Sequence, residues 1–232
     1  MAEKKYQKIS TPLIINMNKK IFSVVLFLIF TFNALLAQPE PKQDAADMLW
    51  KTVQRYNVLQ SFSIDFTLKF ENNVVKLPII KGVLLVKKEK YHLSFGDQIV
   101  ANDGKMVWNF QKESNEISLF ATEDDEFSIF QPLKMLNNWD KDYNAKLIRK
   151  EENQKKMDII IDLTPKIQSS FYKTRLFIDE ATYYIQKILM YDIDGTITTY
   201  SITKFLSNIE IDERKFIFNK TDFPNVQIND MR

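Results

Sequence analysis

The residues able to do chemistry are few. The 232-residue chain has no Cys and one His, His92. Zero Cys removes thiol nucleophiles, thiolate metal sites and disulfides. A lone His leaves no second imidazole for a zinc pair, and His92 lies in a predicted strand as a structural residue. Asp65 is a single carboxylate among Ser63 and Thr67; glycosidase-type acid–base work needs two at a set separation. Glu123-Asp124-Asp125-Glu126 is acidic but lacks the glycine and spacing of an EF-hand loop. Only 4 Gly are present, with neither GxGxxG nor GxxxxGK and no nucleophile elbow. Lys87, Lys88 and Lys90 form a basic knot with Glu89. It reads either as a solvated strand end or as a latch or docking surface. The expectation is a protein without catalytic residues, metal or cofactor.

The chain is rich in large apolar groups instead, with 18 Phe. Net charge is +2, which supplies no global field for nucleic acid. From Met17 the sequence reads Met17-Asn18-Lys19-Lys20, then an apolar run from Ile21 to Leu36, then Ala37-Gln38. This is a basic n-region, an h-region and a small-residue cleavage site. The run contains Thr31 and Asn33 and is short for a membrane span. Cleavage is predicted after Ala37, with translation starting at Met17 or with residues 1–20 forming one long n-region. Residues 1–37 are thus an N-terminal extension and signal, and 38–232 a single domain working beyond the inner membrane. No Cys follows the h-region to carry a lipid anchor.

These residues need elements to position them. Asp44 to Tyr56 predicts a helix, with Asp44 as N-cap and Ala46, Leu49, Val53 and Tyr56 on one apolar face. The period then changes to two. In Ser61 to Phe70, apolar Phe62, Ile64, Phe66, Leu68 and Phe70 alternate with polar residues. Strands are predicted at Ile79–Lys87, Tyr91–Phe95, Gln98–Ala101, Met106–Phe110 and Glu116–Phe120. A second group follows at Tyr143–Lys150, Met157–Leu163, Tyr172–Ile178, Tyr183–Asp192 and Thr196–Leu206, with a last short one at Phe216–Asn219. Asp103-Gly104 and Asp194-Gly195 are hairpin turns. About eleven antiparallel strands with short loops predict a mainly β fold: one curved sheet, a barrel or a sandwich.

One segment interrupts the series. Pro132 suits the first turn of a helix. Phe130, Leu133, Leu136 and Trp139 leave little polar surface on so short an element, so it must cover something apolar or be covered. It reads as a lid, or as a fixed plug.

Several pieces in order resemble the LolA family of periplasmic lipoprotein carriers. They are Ser61-Phe62-Ser63-Ile64-Asp65-Phe66, then Gly82-Val83-Leu84-Leu85-Val86-Lys87, then Asn102-Asp103-Gly104-Lys105-Met106-Val107-Trp108. Phe216-Ile217-Phe218 with Phe223-Pro224-Asn225-Val226 completes the order. The resemblance implies an incomplete antiparallel β-barrel of about eleven strands with a helical lid over a hydrophobic cavity. It implies a soluble, monomeric periplasmic chaperone holding the acyl chains of lipoproteins. Its partners would be acylated lipoproteins, an inner-membrane lipoprotein-releasing ABC transporter and an outer-membrane acceptor that the sequence does not identify. Burying an acyl chain is worth roughly 0.8 kcal/mol per CH₂, so sixteen carbons need on the order of 12 kcal/mol of apolar shelter. The expected inward residues are Phe62, Ile64, Phe66, Leu68, Val83, Leu85, Trp108, Phe110 and Leu119. A one-residue slip in the second strand would exchange Val83 and Leu85 for Leu84 and Val86. In the best-known branch an Arg after the Lys of that strand latches the lid; here the matching position is Lys88, after Lys87. Lys lacks the planar donor fork of Arg. The competing reading is a lipid- or peptide-sensing regulatory barrel of the periplasm.

Overall fold

The computed structural model describes residues 45–72, 77–122 and 136–232. The predicted signal, Asp44, the acidic run at 123–126, Phe130, Pro132 and Leu133 lie outside them. Helix α1 (Ala45–Asn57) precedes strands β1 (Ser61–Glu71), β2 (Ile80–Lys87), β3 (Lys90–Phe95), β4 (Gln98–Asn102), β5 (Met106–Gln111) and β6 (Glu116–Ala121). A short helix α2 (Trp139–Asp142) leads into β7 (Tyr143–Asn153), β8 (Lys156–Pro165), β9 (Phe171–Asp179), β10 (Ile185–Asp192), β11 (Ile197–Ser207) and β12 (Gln227–Asp230).

All twelve strands belong to one sheet, in the order β12-β6-β5-β4-β3-β2-β1-β11-β10-β9-β8-β7. Neighbours are antiparallel except β12, which runs parallel to β6. β12 and β7 are its two edges, so the sheet curves without closing. The fold is mainly β, with few helices. Register shifts at Asp65/Phe66 and Leu147/Arg149 mark bulges, which increase local bend and twist.

Local chemistry explains the turns. Gly104 sits at φ +89, a conformation open to glycine. The Asp103 carboxylate accepts from the N–H groups of Lys105 and Met106, at 2.8 and 3.0 Å. At the β9–β10 turn, Asp179 accepts from Ala181 N–H, Thr182 N–H and the Thr182 hydroxyl. Tyr183 there takes a positive φ, which is why β10 starts at Ile185, two residues after its predicted start.

The predicted strand at Phe216–Asn219 is corrected. Glu213–Phe216 and Lys220–Asp222 are 3₁₀ turns, and the last strand is β12. Asp212 and Asn219 accept from the backbone N–H groups of Arg214 and Thr221. Such side-chain bonds draw the backbone away from a sheet ladder.

Each face of the sheet has its own cover. The concave face packs against α1, whose Ala45, Met48, Leu49, Thr52, Val53 and Tyr56 are buried at helical spacing. On the convex face the C-terminal segment crosses β4–β6 as a strap. Phe218 stacks on Trp108 at 4.7 Å and Phe223 meets Phe110 at 4.4 Å, with Ile117, Leu119 and Val226 buried beneath.

Candidate functional site

The concave face is the candidate site. Phe62, Ile64, Phe66 and Leu68 all lie there and are buried. Their cross-strand partners fix the neighbours: Phe62 faces Val86, Ile64 faces Leu84 and Phe66 faces Gly82. Facing residues of an antiparallel pair share one side of the sheet. Leu84 and Val86 are therefore the concave residues of β2, and both are buried.

The placement of Val83 and Leu85 is corrected accordingly. They oppose Asp65 and Ser63 on the convex side, and Val83 is 37 % exposed. The run Val83-Leu84-Leu85-Val86 is apolar at both parities, so alternation could not choose. The placement of Trp108, Phe110 and Leu119 is corrected too. They form the convex cluster under the strap, while Val107 and Asn109 face the concavity opposite Asn102 and Val100. Both faces of β4–β6 are covered, so both carry apolar residues and the period-two signal points either way.

Sequence reasoning missed the second half of the concave wall. Ile159, Ile161 and Leu163 from β8, Leu176 and Ile178 from β9, Ile188 from β10 and Tyr200 from β11 belong to the same buried cluster. Alternation in Met157–Leu163 and Tyr172–Ile178 was the available signal.

Aromatic rings floor the site. Phe66 stacks on Tyr200 at 4.5 Å. Tyr56 makes edge contacts with Phe62, Tyr184 and Phe205 at 5.4–5.9 Å. The Ile185 N–H donates to the Tyr56 hydroxyl at 3.2 Å, and burial pushes the Tyr56 and Tyr200 hydroxyls far above their ordinary range. Both stay neutral. The Tyr200 hydroxyl, the Thr174 hydroxyl and the Trp139 indole N–H are buried without a hydrogen-bond partner among the described residues. Each orphan costs on the order of 1–3 kcal/mol.

Of the four lid residues, Leu136 and Trp139 are described and buried in the concave cluster, with Trp139 edge-on to Trp50 at 5.6 Å. The two lysines part company. Lys87 pairs with Glu213 of the strap at 2.6 Å, joined there by Lys90 at 2.8 Å. Lys88 occupies the β2–β3 turn at φ +55. It lines a cavity of about 400 Å³ with Tyr56, Phe62, Val86, Glu89 and Asn137. That cavity lies where the end of α1, the start of β1 and the residues before α2 converge. His92 lies on the convex side in a second cavity of about 370 Å³, with Arg214, Lys215, Asp212 and Asp222. Desolvation, then the Lys215 charge, holds its pKa below the ordinary value. Among the described residues no group of three or more His, Cys, Asp or Glu is placed to hold a metal.

An open, mostly antiparallel sheet with a helix on its concave face agrees with the incomplete barrel that the resemblance implied. The fold is LolA-like. A conserved protein of uncharacterized role from Thermus thermophilus aligns with a TM-score of 0.56 at 10% identity, over 81% of this chain and 99% of its own. A LolA superfamily protein from Nitrosomonas europaea aligns at 0.45 and 13% identity, over 75% and 97%. An outer membrane lipoprotein-sorting protein domain from Vibrio parahaemolyticus aligns at 0.42 and 13% identity, over 78% and 99%. A family model described as "-like: Uncharacterized protein" matches residues 130–229. No curated protein matches the sequence. No described helix of this LolA-like fold is long and apolar enough to cross a membrane.

Proposed function

We propose that this protein is a periplasmic lipoprotein carrier. It binds the acyl chains of lipoproteins on the concave face, between α1 and the sheet. It receives them from an inner-membrane ABC transporter and carries them to the outer membrane. The observation that carries this reading is the nature of the concave cover among the described residues: an amphipathic helix and the short α2.

A helix is a removable cover. Met48, Leu49, Val53 and Tyr56 are buried under it, each worth about 1.5–3 kcal/mol, or roughly 6–12 kcal/mol together. A sixteen-carbon chain brings on the order of 12 kcal/mol of the same kind. Exchange of helix for acyl chain is therefore near balance, which suits a carrier that must load and unload. The orphan donors Trp139 Nε1 and Tyr200 hydroxyl would bond an ester or amide carbonyl at the head of the chain. Lys88 and Asn137 line one cavity, and there Lys88 would serve as the latch. The site offers apolar surface and neutral hydroxyls, with no paired carboxylates or nucleophile among the described residues that line it.

A photo-crosslinker tests the face. With p-benzoylphenylalanine at Leu84, an acylated lipoprotein should crosslink and its unacylated form should not. The same probe at Leu85 should capture neither. Equal crosslinking at both positions contradicts acyl binding on the concave side.

A further inference from the structure

The two ends of the sheet differ in the residues their hairpins present. At one end lie residues 77–79 before β2 and the β8–β9 and β10–β11 connections, contiguous because the strand order places β2, β1, β11, β10, β9 and β8 side by side. Five large apolar residues are exposed there: Leu77, Ile79, Ile167, Tyr172 and Ile193, with Ile167 at 78 % and Ile193 at 66 %. The hairpin turns at the other end carry Lys88-Glu89, Asp103-Gly104-Lys105, Gln154-Lys155 and Glu180-Ala181-Thr182. None of these turns exposes a large apolar residue; the exposed ones near that end among the described residues are Val58 in the α1–β1 link, Met157 and Leu206 close to the ends of β8 and β11, and Met231 after β12.

Scattered apolar side chains on a surface need no explanation, but a set gathered at one end does. These tips are also held in place. The Ile193 N–H donates to the Ser170 carbonyl at 3.0 Å, tying the β10–β11 turn to the β8–β9 connection. The Thr196 N–H donates to the Asp194 carboxylate at 2.8 Å and Gly195 takes φ +86. Beside them the Lys173 ammonium sits 3.9 Å over the Tyr191 ring, which lies 6.1 Å from the Tyr172 ring.

We infer that this end docks on a phospholipid bilayer surface, with Ile167 and Ile193 inserted below the headgroups. The occupant follows from the chemistry. The aliphatic groups protrude singly, separated by Gln168, Ser169, Ser170 and Asp194, unlike the continuous apolar core of a protein interface. Tyr172 and Tyr191 with Lys173 supply amphipathic rings and a snorkelling ammonium at headgroup depth. Lysines and carboxylates are mixed at this end (Lys81, Lys112, Lys166 and Lys173 with Glu71, Asp97, Asp192 and Asp194), so insertion, not net charge, drives contact. The carrier reading supplies the reason for meeting a bilayer; the docking surface stands on the hairpins themselves.

Flotation with vesicles of phosphatidylethanolamine and phosphatidylglycerol tests it, using the full mature chain. The wild type should float with the vesicles at low and at high salt. Ile167→Ser/Ile193→Ser should partition about tenfold less or weaker still, with an unchanged thermal melt. Leu77→Ser/Ile79→Ser is the second variant, with a smaller loss in the same direction. Leu206→Ser, exposed on the convex face, should float as the wild type does. A wild type that stays with the unbound fraction, or hairpin variants that float equally well, overturns the inference and leaves the end to a protein partner. Acyl-chain crosslinking at Leu84 separates the two ideas: its absence in the otherwise wild-type protein strikes the carrier reading alone, and the hairpin variants should crosslink as the wild type does.

Discussion

Gly82→Ala should destabilise the protein out of proportion to one methyl group. A Cβ built on Gly82 lands 2.3 Å from Phe66 Cζ and 2.7 and 2.8 Å from its two Cε atoms. The ring cannot swing away freely. Phe66 is 1 % exposed and stacked on Tyr200, with its own backbone at the β1 bulge. Overpacking a filled core costs about 1–3 kcal/mol. In a domain of this size that lowers Tm by roughly 2–4 °C per kcal/mol. Urea titration of both proteins reads the difference directly. Phe66→Leu should remove the clash, so the double variant should recover part of the loss, with a coupling of about 1 kcal/mol or more opposite in sign. A Gly82→Ala protein as stable as the wild type, or strictly additive changes, would refute the register that puts Phe66 and Gly82 together on the concave face.

Three further outcomes are expected. Leu84→Ala should cost about 2–5 kcal/mol because it opens a cavity in the concave cluster, while Leu85→Ala on the convex side should cost far less; equal losses in denaturant titration would contradict the assigned faces. His92 has a folded-state pKa below its ordinary value of about 6.5, so the unfolded chain takes the proton first as pH falls. Its contribution is present above pH ~6.5 and is lost progressively below it, and His92→Gln should flatten the stability profile just below that pH. Glu213, whose carboxyl is held down to about 2 by hydrogen bonds from Lys87 and Lys90, is exposed. Glu213→Gln should leave the melt nearly unchanged, whereas Trp108→Ala, which removes the stack under Phe218, should lower it clearly.

The elements were legible in the sequence because their periods are clean. α1 spans Ala45–Asn57 against a prediction of Asp44–Tyr56, and β1 through β11 each fall within a few residues of their predicted ranges. Phe62, Ile64, Phe66 and Leu68 are buried together on one face, as their alternation with Ser63, Asp65 and Thr67 indicates. In β2, β5 and β6 the polar marker is missing or misleading. Val83 through Val86 is apolar throughout, and Trp108, Phe110 and Leu119 are large because the strap covers them. A segment roughly a hundred residues away in sequence, Phe218 to Val226, decides their face, and alternation cannot see it. The strap itself escaped because Asp212 and Asn219 cap turns where Phe216-Ile217-Phe218 suggested a strand. Lys87 and Lys88 are neighbours in sequence, yet the turn at Lys88 sends one to the strap and the other to the α1 cavity.

Native mass spectrometry of residues 38–232 with a purified triacylated lipoprotein and with its unacylated form tests acyl-chain carriage most directly. A one-to-one complex with the acylated form alone is the predicted result. No complex with either form, or equal binding to both, would contradict it.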